Sequence, residues 1–138
     1  MQDHRKLKIF IMADDLIVDV YDYTRTFPKE ERFGLTSQIR RAALSVPTNI
    51  VEGCARRSQR ELAQFIAIAL GSASEVRYLI EVSQRLGYDD HAVGELEPAI
   101  EDDGTLRVVS APSRSLGPKY DELVRALSGF LRRLESDG

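Results

Sequence analysis

Four residues whose spacing puts them on one helical face, Arg41, Ser45, Asn49 and Glu52, concentrate the polar chemistry of this chain. They follow one another at intervals of four, four and three, so a helix presents them together. Further on, Ser72 and Glu75 stand three apart among the small residues Ala67, Gly71, Ser72, Ala73 and Ser74, which allow close helix approach. Three chemistries suit this set. The preferred one is an interhelical polar network (Ser45, Asn49, Glu52, Ser72, Glu75) that fixes helix register, its charges paired by Arg40 or Arg41. The second is a ligand or nucleic-acid site at a subunit junction. The third is a Glu52–Glu75 carboxylate pair, but the di-iron bundle pattern wants Glu-x-x-His on two helices, and the chain has no such pair.

A basic cluster follows. Arg56, Arg57 and Arg60 lie where one helix gives way to the next, with Arg40 and Arg41 some turns back. Such clustering is either a phosphate footprint or a solvated loop that happens to be basic. The single cysteine, Cys54, reads as a small packing residue rather than a reactive thiol. The two histidines, His4 at an end expected to fray and His91 in a loop-like region, cannot join it in a zinc-type cluster or serve a Ser-His or Cys-His nucleophile. No Walker-type or GxGxxG phosphate loop is present. The expectation is a protein without catalytic residues, metal or cofactor.

Four helices must position these groups. The first spans about Leu7 to Tyr23, with Leu7, Phe10, Ala13, Leu16, Ile17, Val20 and Tyr21 as its apolar stripe and Asp14, Asp15, Asp19 and Asp22 opposite. The "RTFPKEERFG" stretch ends it, with Pro28 suited to a short turn and Gly34 marking a joint. The second begins near Leu35 or Thr36 and carries Pro47 inside it. The apolar stripe stays in phase to Ile50, so a kink is expected at Pro47 rather than a stop, and the end falls near Gly53. The third opens on "SQRE", a capping box at Ser58–Glu61, and runs to about Leu86 with Gly87 as its cap. Its first half, "LAQFIAIALGSA", is apolar nearly all round, and one bundle covers only one stripe of a helix. A second contact surface, another subunit, is therefore implied. The last helix runs from about Lys119 to Leu134, with Tyr120, Leu123, Leu127, Phe130, Leu131 and Leu134 inward. The fold class is all-α, an antiparallel up-down four-helix bundle, with the whole of 1–138 as one domain.

Between the last two helices, residues 89–117 read as an irregular acidic insertion. It carries Asp89, Asp90, Glu95, Glu97, Glu101, Asp102 and Asp103 against Arg107 and Arg114, a net charge of −5 in a chain of −3, which leaves +2 elsewhere. "HAVGELEPAI" reads as holding a short helix, "TLRVV" as a short strand and "SAPSRSLGP" as loop. An overall composition 43% apolar and 30% charged is that of a globular protein. No apolar run approaches membrane-spanning length, and the N-terminal stretch is interrupted by Asp14 and Asp15, so neither a membrane partner nor a signal peptide is expected. Together with the lone cysteine, this points to the cytoplasm.

The string "FPKEERFGLTSQIRRAALSVPTNIVEGCARRSQRELAQFIAIALGSASEVRYLIEVSQRLGY" closely resembles the bacterial four-helix-bundle proteins encoded in intervening sequences of 23S ribosomal RNA genes. Gln38, Arg40, Arg41, Ala42, Ser45, Pro47, Asn49, Glu52, Gly53, Arg57, Ser58, Glu61, Phe65, Gly71, Ser72 and Glu75 carry the match, which covers about residues 6–88 and resumes weakly in the last helix. The resemblance implies a homopentameric ring of four-helix bundles. A related branch is similar to the accessory variability determinant proteins of diversity-generating retroelements, basic pentamers that bind nucleic acid and work with a reverse transcriptase. Carried over, that role falls on Arg40, Arg41 and Arg57, with Arg56 and Arg60 beside them. This chain departs from the pattern in its acidic net charge and in the long acidic insertion.

Two functions follow as expectations. One is an oligomeric, non-enzymatic adaptor that binds structured RNA or DNA, or a nucleic-acid enzyme, through the basic turn. The alternative is a structural module without a nucleic-acid role, whose acidic insertion recognises a protein partner.

Overall fold

The computed structural model describes residues 2–89, 99–100, 106–107 and 113–137. Four helices dominate it: α1 (Lys8–Thr24), α2 (Leu35–Cys54), α3 (Gln59–Arg85) and α4 (Ser113–Ser136). Two short strands, β1 (Ala99–Ile100) and β2 (Leu106–Arg107), pair antiparallel with Ala99 opposite Arg107 and Ile100 opposite Leu106. Strand β2 falls in the TLRVV stretch, whereas β1 takes the last two residues of HAVGELEPAI, read as holding a short helix, whose other residues lie outside the described ones. The remainder of the expected insertion up to Pro112 lies outside the described residues.

Neighbouring helices run in opposite directions, as their cross-links show. Between α1 and α2, the Arg40 side chain reaches Thr24 while the backbone N–H of Gln2, ahead of α1, donates to the Cys54 carbonyl at 3.0 Å. Between α2 and α3, Gln38 meets Glu75, Ser45 meets Ser72, and Gly53 abuts Leu62 and Phe65. Between α3 and α4, Arg77 meets Asp121 and Gln59 meets Leu134.

The core follows from the sequence stripes, with one shift of phase. On α1 the buried row is Ile9, Ala13, Leu16, Val20 and Tyr23, while Phe10 and Ile17 are only half-buried. Tyr21, expected inward, is half-buried beneath the Arg40 guanidinium, 4.4 Å from its ring centroid. Tyr23 instead enters the core, where its hydroxyl hydrogen-bonds Ser83 and its ring meets Phe27 edge-on at 5.3 Å. Phe27 then packs on Tyr88, which closes that end of the bundle. Burial pushes the phenols of Tyr23 and Tyr120 above the ordinary tyrosine range.

Helix α2 runs unbroken through Pro47. The ring leaves the Ala43 carbonyl without its ladder partner, a cost of roughly 3 kcal/mol in an isolated helix. Two side chains supply donors to the carbonyls that follow: Thr48 Oγ1 to Leu44 and Asn49 Nδ2 to Ser45, both at 2.7 Å. The start of α2 has no side chain of its own to cap it, since Gly34 precedes it. Glu31 reaches across instead, its Oε2 accepting from Leu35 N at 3.0 Å. Helix α3 opens as its capping sequence predicts, with Ser58 Oγ accepting from Glu61 N at 3.1 Å, and Gly87 follows its end at φ 78°.

The last helix begins earlier than its sequence suggests. Ser113–Pro118, read as loop, are helical. Leu116 is 1% exposed and carries this extra turn into the core. Gly117 lies against Arg77, whose guanidinium carbon is 3.4 Å from where a Cβ would stand. Pro118, the sixth residue of α4, lies past the first turn, so its ring removes one ladder bond there as Pro47 does in α2.

Candidate functional site

The α2–α3 groove gathers most of the predicted polar face. Ser45 Oγ and Ser72 Oγ lie 2.8 Å apart, and Asn49 Nδ2 donates to Ser45 Oγ at 3.0 Å. At the next level Gln38 Nε2 donates to Glu75 Oε1 at 3.3 Å. These hydroxyl and amide contacts tie the register of two packed helices. Gln38 completes the pair that Glu75 was expected to make with an arginine. Above the network opens a pocket of about 470 Å³, lined by Phe33, Gln38, Arg41, Ser45, Ser72 and Glu75 among others. Phe33 at its edge is 88% exposed, and Arg32 leans over its ring at 5.2 Å.

Two expected members of the site are placed otherwise. Glu52 is exposed and, among the described residues, makes no side-chain hydrogen bond or ion pair. It lies level with Phe65 on α3, whereas Glu75 lies level with Gln38, so the two carboxylates are some ten residues apart along the groove, about 15 Å at 1.5 Å per residue. They form no catalytic pair. Arg40 turns away from the groove altogether: its Nε donates to Thr24 Oγ1 at 2.9 Å and its guanidinium caps Tyr21, stapling α1 to α2. Arg40 and Arg41 are adjacent in sequence and so about 100° apart on the helix, and only Arg41 faces the groove. Among the described residues, no group of three or more His, Cys, Asp and Glu is arranged to hold a metal.

The basic turn is the other candidate. Arg56, Arg57 and Arg60 are all exposed. Their backbone is held firmly. Arg56 N donates to the Gly53 carbonyl at 3.1 Å, and Ser58 caps α3. Gly53 lets the helices close on each other here, because a Cβ would stand 2.8 Å from Phe65 Cβ. The Arg56 guanidinium lies over the Phe65 ring at 4.8 Å, worth about 0.5–1 kcal/mol at an exposed site. Of the three described ion pairs, Arg25–Asp22, Arg77–Asp121 and Lys119–Asp19, none involves the turn. Cys54 beneath it is 2% exposed, its thiol pushed up by burial and by Asp3, as suits a packing residue.

The sequence reading missed the setting of this turn. His4, expected to fray, sits in a short 3-10 turn (His4–Lys6) capped by Asp3, and its ring meets Phe10 edge-on at 4.8 Å. The Gln2–Cys54 backbone bond docks that segment beside Arg56 and Arg57, which share a pocket with Gln2. Only tertiary closure reveals this contact; no local motif marks it.

An all-α four-helix bundle with a register-locking polar groove and a basic inter-helix turn defines the class. Residues 5–101 match the family model of the 23S rRNA-intervening sequence protein. The chain belongs to that family, which is not known as a family of enzymes. No curated protein matches it. Among the described residues, no helix is long and apolar enough to cross a membrane.

Proposed function

We propose that the protein is an oligomeric, non-enzymatic adaptor that binds structured nucleic acid, or an enzyme acting on it, through the α2–α3 turn. The observation that carries this is the set Arg56, Arg57 and Arg60: exposed, mounted on a capped and closely packed turn, and outside every described ion pair. Arginines that serve the fold look different here. Arg40 and Arg77 are each committed to a partner on another helix. Guanidinium groups mounted on a firmly held backbone but left unneutralised are suited to phosphate oxygens.

Oligomerisation is supported by the outer face of α3. Ile68 and Tyr78 are 51% and 56% exposed there, and Ala67, Gly71 and Ser74 on the same helix are exposed as well. A helix with apolar and small residues on its solvent side is stabilised by a second copy covering it. Assembly would also repeat the turn around a ring and gather the basic surface locally, although every copy carries a net charge of −3.

The test is fluorescence anisotropy with a labelled RNA stem-loop and a labelled DNA duplex at low and physiological salt. Micromolar or tighter binding that falls steeply with salt is expected. The Arg56→Glu/Arg57→Glu/Arg60→Glu variant should lose it at least tenfold; undiminished binding by that variant removes the site assignment.

A further inference from the structure

The α2–α3 turn is not the only basic feature at its end of the bundle. The backbone bond from Gln2 to Cys54 brings the His4–Lys6 turn to it, with Arg5 and Lys6 both exposed. From the other side, Gln59 Nε2 donates to the Leu134 carbonyl at 3.0 Å and fastens the last turn of α4 to the first turn of α3. That turn of α4 carries Arg132 and Arg133, also exposed. A pocket of about 440 Å³ between Arg60 and Leu134 continues the surface across this junction. Three basic segments, far apart in sequence, therefore meet at one pole.

Arg133 leans over the Phe130 ring at 5.9 Å, a contact that leaves its charge unneutralised. None of Arg5, Lys6, Arg132 and Arg133 takes part in an ion pair among the described residues. The acids nearby are Asp3, Glu52, Glu61, Glu135 and Asp137, and the Asp3 carboxylate is engaged in accepting from Arg5 N at 3.1 Å. The described ion pairs all lie elsewhere, on the bodies of the helices or at the far end of α1. The acidic connection from α3 to α4 departs from the opposite pole, where Tyr88 packs on Phe27.

Resting on the nucleic-acid reading above, we propose that the phosphate-contacting surface is the whole basic pole, with Arg5, Lys6, Arg132 and Arg133 as further contacts to the backbone of a structured RNA or DNA. A surface built from three segments spans more phosphates than the turn alone. It also orients the nucleic acid across the bundle end, with its axis crossing that of the helices. Each phosphate contact adds to the salt dependence, roughly 0.7–0.9 per contact in the slope of log K against log salt.

The test measures that slope for the full chain with the RNA stem-loop and the DNA duplex. The variants are Arg5→Glu/Lys6→Glu, Arg132→Glu/Arg133→Glu, and a control at the opposite pole, Lys29→Glu/Arg32→Glu. Glutamate in the last turn of α4 opposes the helix dipole, so Arg132→Gln/Arg133→Gln is measured beside it, with helicity checked by circular dichroism. Each pole variant removes two contacts and should lower the slope by roughly 1.4–1.8 and weaken binding several-fold, while the control stays at the wild-type value. The extension is overturned if both pole variants, Gln pair included, keep the wild-type slope while the Arg56/Arg57/Arg60 variant loses binding. An equal drop in the control overturns it too, since net charge rather than position would then govern. Equal competition by polyglutamate overturns the assignment to phosphate. If the wild-type chain binds neither nucleic acid at low salt, the adaptor reading falls as well.

Discussion

Gly53 shows how much of the site rests on an absent side chain. Its position opposite Phe65 and Leu62 leaves no room for a methyl group, since a Cβ would lie 2.8 Å from one and 3.0 Å from the other. The Phe65 Cβ is fixed to the α3 backbone and cannot swing clear, whatever the Leu62 methyl does. Gly53→Ala should therefore destabilise the fold by about 1–3 kcal/mol, although alanine is the better helix former. Urea unfolding followed by circular dichroism checks this, and a stabilised variant would show that the helices can part without loss. Ser45, Ser72 and Asn49 tie the same two helices by complementary means. Each hydroxyl finds its partner across or along the groove, so the polar atoms sit in a close-packed seam without a desolvation penalty.

At the scale of elements, the caps decide where the basic turn stands. Ser58 fixes the first turn of α3, and through it the direction in which Arg57 and Arg60 project. Ser58→Ala should cost about 1 kcal/mol of stability, read as a lower urea midpoint with unchanged m-value. Loss of only a tenth of that would mean the turn is held by Gly53 packing alone. This cap was legible in the sequence because serine and glutamate at that spacing have one geometric use. Pro47 was legible for a related reason: the stripe on either side of it keeps phase, so the helix had to continue. The start of α4 was not legible. In "SRSLGP" one leucine stands among serines, glycine and proline, and local chemistry favours a loop; the burial of Leu116 and the seat of Gly117 against Arg77 reverse that preference. Among site residues, the Ser45–Ser72 contact could be anticipated from small residues on facing helices. The divergence of Arg40 from Arg41 could not, because it depends on which flank of α2 receives α1.

At the scale of the molecule, the exposed face of α3 sets a condition on assembly. Nothing stands within 4 Å of a Cβ at Gly71, so in a lone chain a larger residue there is harmless. Arginine at that position should even stabilise the helix by about 0.5–1 kcal/mol relative to glycine. If copies pack on this face, Gly71→Arg should instead break the assembly. Light scattering on a sizing column is expected to give a multiple of the 15.5 kDa chain mass for the wild type and the single-chain mass for the variant. A wild type that elutes as one chain at tens of micromolar would sink the oligomeric part of the proposal.

The fastening of Gln2 to Cys54 and of Leu134 to Gln59 has a practical side. Both ends of the described chain emerge beside the same arginines. A purification tag or dye fused at either terminus would crowd the very surface under test, and a polyhistidine tag would bring its own affinity for phosphate. Cys54, the sole cysteine, is sealed in the core and would escape maleimide reagents in the folded protein. A cysteine placed at exposed Thr26, at the far end of α1, would therefore accept a single fluorophore or surface tether and leave the basic pole facing solution.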